Sequence, residues 1–206
     1  MRYKKKIVIF DLDGVLINSL PNMQYALKRT SLKLNLKLKF KDYKKFIGLP
    51  FEKILLNMGV KNNHDLIKFF YIKYSNQNIL KIKILKNKLK YLNQLKKKCA
   101  LAIFTSKDRF RTLKILKKYK LFTYYVTSDD VKTGKPSPEG ILKILKKTKY
   151  SGKDCYYVGD TLFDFKAAKS AKVNYLHAVW GIDKKLKYKN VRYVKSFFEI
   201  KKIILH

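Results

Sequence analysis

The chain is short of acid: only 14 of its 206 residues are Asp or Glu, against 49 Lys and Arg, which leaves a formal charge of +35. With so few carboxylates, any adjacent pair stands out, since like charges side by side cost energy unless a cation or hydrogen-bond donors offset them. Cysteine is nearly absent as well. Cys99 and Cys155 each head an apolar run, which reads as two reduced, buried thiols and excludes a disulfide framework or a thiolate metal site. With eight Gly and four Pro there is no Gly/Ser/Pro linker, and no internal repeat is found. No apolar run approaches the roughly 18 residues that a bilayer-spanning helix needs. "MRYKKKIVIF" has too short an apolar segment, and no small-residue cleavage site, for a signal peptide. The expectation is a cytoplasmic protein without a membrane partner.

Arginine is scarce within the basic excess, at 44 Lys to 5 Arg, and the lysines are scattered along every helical segment, as in "LKNKLKYLNQLKKK". Readers of bases and phosphates favour the forked Arg and concentrate charge on one element. An AT-rich coding sequence would give the same Lys, Ile, Asn and Tyr excess. No specific nucleic-acid partner is expected, only weak, salt-sensitive binding to polyanions and a positive field that draws in small phosphorylated ligands.

What is abundant is apolar surface. Residues of the hydrophobic class make up 47% of the chain, with 15 Tyr and 13 Phe, enough for one domain with a real core or a domain carrying an insertion. Apolar, β-branched or aromatic runs at 6–10, 99–104, 155–158 and 173–179 read as strands, and shorter runs at 124–127 and 191–194 as further ones. Helical spacing fills 108–119, 138–148 and 162–171 between them. This alternation predicts an α/β fold: a Rossmann-like, doubly wound parallel sheet, with ligands beyond the carboxyl ends of the strands. Residues 18–80 break the pattern, being helical in period without a strand, and are too long for an ordinary crossover. They are read as an inserted all-helical cap, so that residues 1–17 and 81–206 form the core.

Chemistry-bearing residues gather at the ends of the expected strands. "IVIFDLDGVL" sets Asp11 and Asp13 after a strand and before Gly14, which allows a sharp turn and close approach to a ligand. Their carboxylates are hard oxygen ligands suited to Mg²⁺. In "LAIFTSKD", the Thr105 hydroxyl and the free N–H groups of Ser106 and Lys107 would form a phosphate-sized donor cluster; a helix cap by Thr105, Ser106 or Asp108 is the plainer alternative. "VKTGKPSPEG" mounts Lys135 among two Gly and two Pro, with a helix start near Pro138. "YVGDTLFDF" ends a strand with Gly159 and Asp160, and Asp164 either adds a second carboxylate or completes a capping box with Thr161.

In that chain order the four segments resemble the motifs of the haloacid dehalogenase superfamily of phosphohydrolases, and the helical insertion resembles its cap. "IGLP" at 47–50 is similar to the cap's specificity loop, and Trp180-Gly181 to a dipeptide of phosphoglycolate phosphatase-like members. The resemblance implies that Asp11 is the nucleophile that forms an aspartyl-phosphate, and Asp13 the general acid and base. It further implies Mg²⁺ on Asp11, Asp160 and the main-chain carbonyl of Asp13. Lys135 would neutralise Asp11 and the transferring oxygens, Thr105, Ser106, Lys107 and Gly14 would surround the phosphoryl group, and Asp164 would orient Asp160 or a bound water. Ile47, Gly48, Leu49, Pro50 and Phe51 would face the substrate. Asn18, Val15 and Lys172 depart from the phosphoglycolate phosphatase-like pattern, Val15 towards sugar-phosphate mutases. The implied function is a Mg²⁺-dependent phosphatase of a small phosphorylated metabolite, phosphoglycolate first, acting as a monomer or homodimer. A mutase using the same aspartyl-phosphate, and a non-catalytic nucleic-acid-binding or regulatory domain, are the alternatives.

Overall fold

The computed structural model of the chain describes residues 5–184 and 189–206. Strands β1 (Lys6–Phe10), β2 (Cys99–Phe104), β3 (Tyr124–Val126), β4 (Cys155–Gly159), β5 (Asn174–Ala178) and β6 (Arg192–Val194) form one parallel sheet in the order β3-β2-β1-β4-β5-β6. Between β1 and β2 lie α1 (Leu20–Lys33), α2 (Phe40–Lys45), α3 (Phe51–Asn57) and α4 (His64–Gln77), followed by α5 (Lys86–Lys98). Helices α6 (Arg109–Leu116), α7 (Glu139–Thr148), α8 (Leu162–Ser170) and α9 (Phe197–Leu205) complete the chain.

β1 lies at the centre because it is apolar on both faces, and Ile7 to Phe10 are all fully buried. Period-two alternation sends Ile7 and Ile9 towards Ile141, Ile144, Ala167 and Ala168 of α7 and α8. Val8 and Phe10 face the other way, towards Leu92 and Leu95 of α5, Ile115 of α6 and Ile200 of α9. Helices on both faces give the expected doubly wound layout. The strand order reverses between β1 and β4, which opens a crevice at their carboxyl ends.

Segments expected to be strands hold to within a residue or two. β4 takes in Gly159, whereas Thr127 leaves the strand to cap a short 3-10 turn with Asp130. The helix expected over 108–119 ends at Leu116, tightens into a 3-10 turn over Lys117–Tyr119 and reverses at Lys120, whose φ is +48°. The Tyr119 hydroxyl, 3.0 Å from the Ile84 N–H, ties that turn to the chain entering α5. α9 was not expected, although "KSFFE" carries its start signal: Ser196 accepts from the Glu199 N–H and Glu199 from the Lys195 N–H.

The insertion has a small core of its own, with Met23, Ala26 and Leu27 of α1 against Tyr43, Ile54 and Tyr71. Phe163 and Ile182 of the sheet domain pack against this cluster, so the cap is seated on the crevice. Where the chain leaves the sheet, the Val15 carbonyl accepts both the Lys88 ammonium at 2.7 Å and the Trp180 indole N–H at 3.1 Å. Among the described residues, no helix is long and apolar enough to cross a membrane.

Candidate active site

Asp11 is the first residue beyond β1, and its N–H extends the ladder to the Val158 carbonyl at 2.9 Å. Because β4 is the neighbouring strand, its last residue delivers Asp160 to the same spot, and the first turn of α8 adds Asp164. Oxygens of Asp11, Asp160 and Asp164 lie within 4.8 Å of one another, all buried. Lys135 enters from the loop before α7, its ammonium 2.5 Å from Asp11 Oδ1 and 2.7 Å from Asp164 Oδ1. It is fully buried over the Phe104 and Tyr157 rings, so this cation at the centre of the cluster has no access to water.

Three buried carboxylates against one ammonium leave excess negative charge. Burial, with Asp164 and Asp13 adding to it and Lys135 opposing, pushes Asp11 from 3.8 up to about 7. An isolated Asp is almost fully ionised at neutral pH, whereas burial among these carboxylates leaves Asp11 partly protonated there. Asp160 is raised well above the usual carboxylate range, by burial first and by Asp11 second. Asp164 is held low: burial pushes it up, but the Lys135 charge and hydrogen bonds from Lys135, Thr161 and Tyr157 outweigh burial. Lys135 is held above the ordinary lysine value, as its ion pairs with Asp11 and Asp164 overcome burial.

This donor set fits a hard divalent cation. Asp160 Oδ2 accepts the Ile182 N–H at 2.5 Å, but its Oδ1 is buried with no hydrogen-bond partner, a costly state that a cation would relieve. Gly14 leaves the approach open: its φ is +90°, and a Cβ there would lie 2.1 Å from Asp160 Oδ2. Asp164 is fully engaged, accepting the Tyr157 and Thr161 hydroxyls, each at 2.6 Å, besides Lys135. The capping box with Thr161 also forms. Both readings of Asp164 therefore hold at once.

Asp13 stands apart from that cluster. Its Oδ2 is 3.2 Å from the Lys107 ammonium and its Oδ1 is buried without a partner. Thr105 follows β2, 1% exposed, and its hydroxyl accepts the Lys107 N–H at 3.2 Å. The expected free N–H of Lys107 is thus already engaged, because the chain makes a hydroxyl-capped turn before α6 begins at Arg109. Asp108 caps that helix, accepting the Arg111 N–H at 2.8 Å, which releases Thr105 and Ser106 from capping. The Ser106 hydroxyl instead donates to the Gly48 carbonyl of the cap at 2.6 Å.

Ile47, Gly48, Leu49 and Phe51 line a cavity of about 50 Å³ above Asp11 and Asp13. Pro50 is outside that lining and packs on Gly134, where a Cβ would come within 2.7 Å of it. Sequence reasoning missed Tyr43, Tyr71 and Arg111, which complete the wall. Tyr43 and Tyr71 lie in segments legible only as helical, and nothing set Arg111 apart from the other basic residues of its helix.

The family model for haloacid dehalogenase-like hydrolases matches residues 8–178. The chain is 30% identical over 185 residues to a phosphoglycolate phosphatase of Aquifex aeolicus, covering 85% of each protein. It is 24% identical over 196 residues to pyrophosphatase PpaX of Oceanobacillus iheyensis, covering 93% of this chain and 89% of that one. A solved structure from Lactobacillus plantarum superposes with a TM-score of 0.88 at 21% identity, covering 98% of this chain and 100% of that one. With the match running from the first strand to the fifth, the chain belongs to the haloacid dehalogenase-like hydrolase family.

Proposed function

We propose that the chain is a Mg²⁺-dependent phosphatase of a small phosphomonoester, working through a phosphoryl group carried on Asp11. Phosphoglycolate is the first candidate ester, and pyrophosphate, an anhydride cleaved by the same chemistry, is the second candidate substrate, after the relatives that bear those names. In this reading residues 18–80 act as the cap over a core of 1–17 and 81–206. The observation that carries the proposal is the buried set of Asp11, Asp160 and Asp164 around Lys135, with Asp160 Oδ1 unpaired.

Asp11 and Asp160, with the main-chain carbonyl of Asp13, would hold the cation, which supplies charge to offset the phosphoryl oxygens. A carboxylate oxygen of Asp11 attacks phosphorus while the bond to the leaving oxygen breaks. Asp13, which lines the same cavity beside the Lys107 ammonium, gives that oxygen its proton. Water then attacks the phosphorus with Asp13 taking its proton, which releases inorganic phosphate and restores Asp11. Lys135 holds Asp11 and balances charge throughout; Thr105, Ser106 and the backbone about Gly14 flank the transferring group. Asp164 fixes Lys135, and the seated cap keeps bulk water out.

The test is phosphate release from phosphoglycolate, pyrophosphate, nucleotide and hexose phosphate esters, with Mg²⁺ and with EDTA. Hydrolysis of a small ester that EDTA abolishes and Mg²⁺ restores is expected, with Asp11→Asn inactive. Isomerisation of a hexose phosphate without phosphate release would replace this reading by the mutase. Asp11→Asn activity within about tenfold of wild type would remove the nucleophile, since losing one normally costs orders of magnitude.

A further inference from the structure

Resting on the phosphatase reading, we propose that Arg111, together with Lys107, selects the leaving group and favours one that carries a second negative charge. Arg111 belongs to α6 of the sheet domain yet lies against the cap. Its guanidinium sits 5.6 Å from the Tyr71 ring centre, with Nη1 3.2 Å from the Ser75 hydroxyl of α4. It is 7% exposed and lines the cavity above Asp13. Asp108 takes one edge through Nε, which fixes the plane of the group. A guanidinium has five N–H donors and no acceptor, so these contacts leave donors to spare.

Lys107 is the second cation of the wall, equally buried, and it reaches Asp13, the proton donor to the leaving oxygen. Both cations are therefore on the leaving-group side, whereas Lys135 serves Asp11. Apart from Asp11 and Asp13, which the chemistry occupies, the cavity lining holds no carboxylate or side-chain amide among the described residues. Its other polar side chains are hydroxyls, and the Tyr43 and Tyr71 phenols bond to each other at 3.1 Å. Two buried cations among hydroxyls and apolar cap residues suit a carboxylate or a phosphate, and a space of about 50 Å³, which holds only a few atoms, disfavours a sugar.

The same contact joins recognition to closure. Because Arg111 touches α4, an anion that it binds is enclosed by core and cap together, so the second charge acts where the site is dry and a charged hydrogen bond is strongest.

The experiment compares kcat/KM with Mg²⁺ for 2-phosphoglycolate, pyrophosphate and ethyl phosphate, the last a two-carbon ester without a second charge. A charge-assisted hydrogen bond corresponds to a preference on the order of 10- to 100-fold for the charged leaving groups in wild type. Arg111→Met should collapse that ratio and Arg111→Lys should keep part of it; Lys107→Met gives the same readout should Arg111→Met fold poorly. Phosphoglycolate above pyrophosphate assigns the subsite to a carboxylate, and the reverse order to a phosphate. Absence of preference in wild type, or equal losses on charged and uncharged esters in Arg111→Met, overturns the proposal. If wild type hydrolyses none of the three, the phosphatase reading fails, and titration of the esters into Asp11→Asn decides the subsite. Phosphoglycolate or pyrophosphate binding at least tenfold tighter than ethyl phosphate upholds it, and equal affinities refute it.

Discussion

The charge imbalance around Asp11 makes the effect of Mg²⁺ on stability depend on pH in a calculable direction. In the cation-free protein the folded-state value of Asp11 is raised from 3.8 to about 7. The unfolded chain thus releases this proton first as pH climbs. The stabilisation is whole below about pH 4 and is lost as pH rises through 7, since the folded state must then hold a buried charge. At 1.36 kcal/mol per pH unit, the interval from 3.8 to about 7 is worth about 4 kcal/mol. Asp160, also raised, acts in the same sense, while Asp164, held low, acts in the opposite one. A cation on Asp11 and Asp160 favours their charged forms and so removes the loss. For a chain of this size, about 2–4 °C of melting temperature per kcal/mol converts this to roughly 8–16 °C. The assay is thermal unfolding by circular dichroism in excess MgCl₂ and in EDTA, at about pH 4.5 and about pH 7.5. The Mg²⁺ increment should be near zero in acid and of that size at the higher pH. Comparing the two arms at each pH cancels the self-repulsion of the +35 charge. Asp160→Asn should abolish most of the increment. An equal increment at both pH values, or one under about 2 °C at pH 7.5, would refute the reasoning.

Lys135→Met strands two carboxylates of a fully buried cluster and should destabilise the EDTA-treated protein by about 3–5 kcal/mol in urea unfolding at pH 7.5. A loss below about 1 kcal/mol would show that the cluster does not rely on that ammonium. Gly14→Ala forces an alanine to a φ of +90° with its Cβ on Asp160, so Mg²⁺ affinity measured by titration calorimetry should fall at least about tenfold. Unaltered affinity would mean that the Gly14 turn does not shape the site. Against duplex DNA, the dispersed lysines should give binding indifferent to sequence that weakens steeply with added salt. Sequence-selective binding at physiological salt would contradict the attribution of the charge to composition.

The strands and the residues at their ends were legible because each rests on local chemistry. β1 is a run of apolar residues closed by Asp-x-Asp-Gly, Pro138 starts α7, and Thr161 with Asp164 starts α8. Such patterns act over a few residues, and the sequence contains all of them. α9 could have been read in the same way from Ser196 and Glu199. Only the folded chain decided which charges meet. Lys135 and Asp11 are 124 residues apart, and no spacing rule brings them within 2.5 Å. The shift of Asp11 to about 7 likewise depends on burial, which arises when β1 and β4 pair and α8 covers their ends. Arg111 is the clearest instance. Alone it is one basic residue of an amphipathic helix, and it becomes part of the cavity wall because the cap closes Ser75 and Tyr71 onto it. The sequence determined which side chains could do the chemistry; packing across the crevice decided which of them share a site, because charge and solvation depend on neighbours far away in the chain.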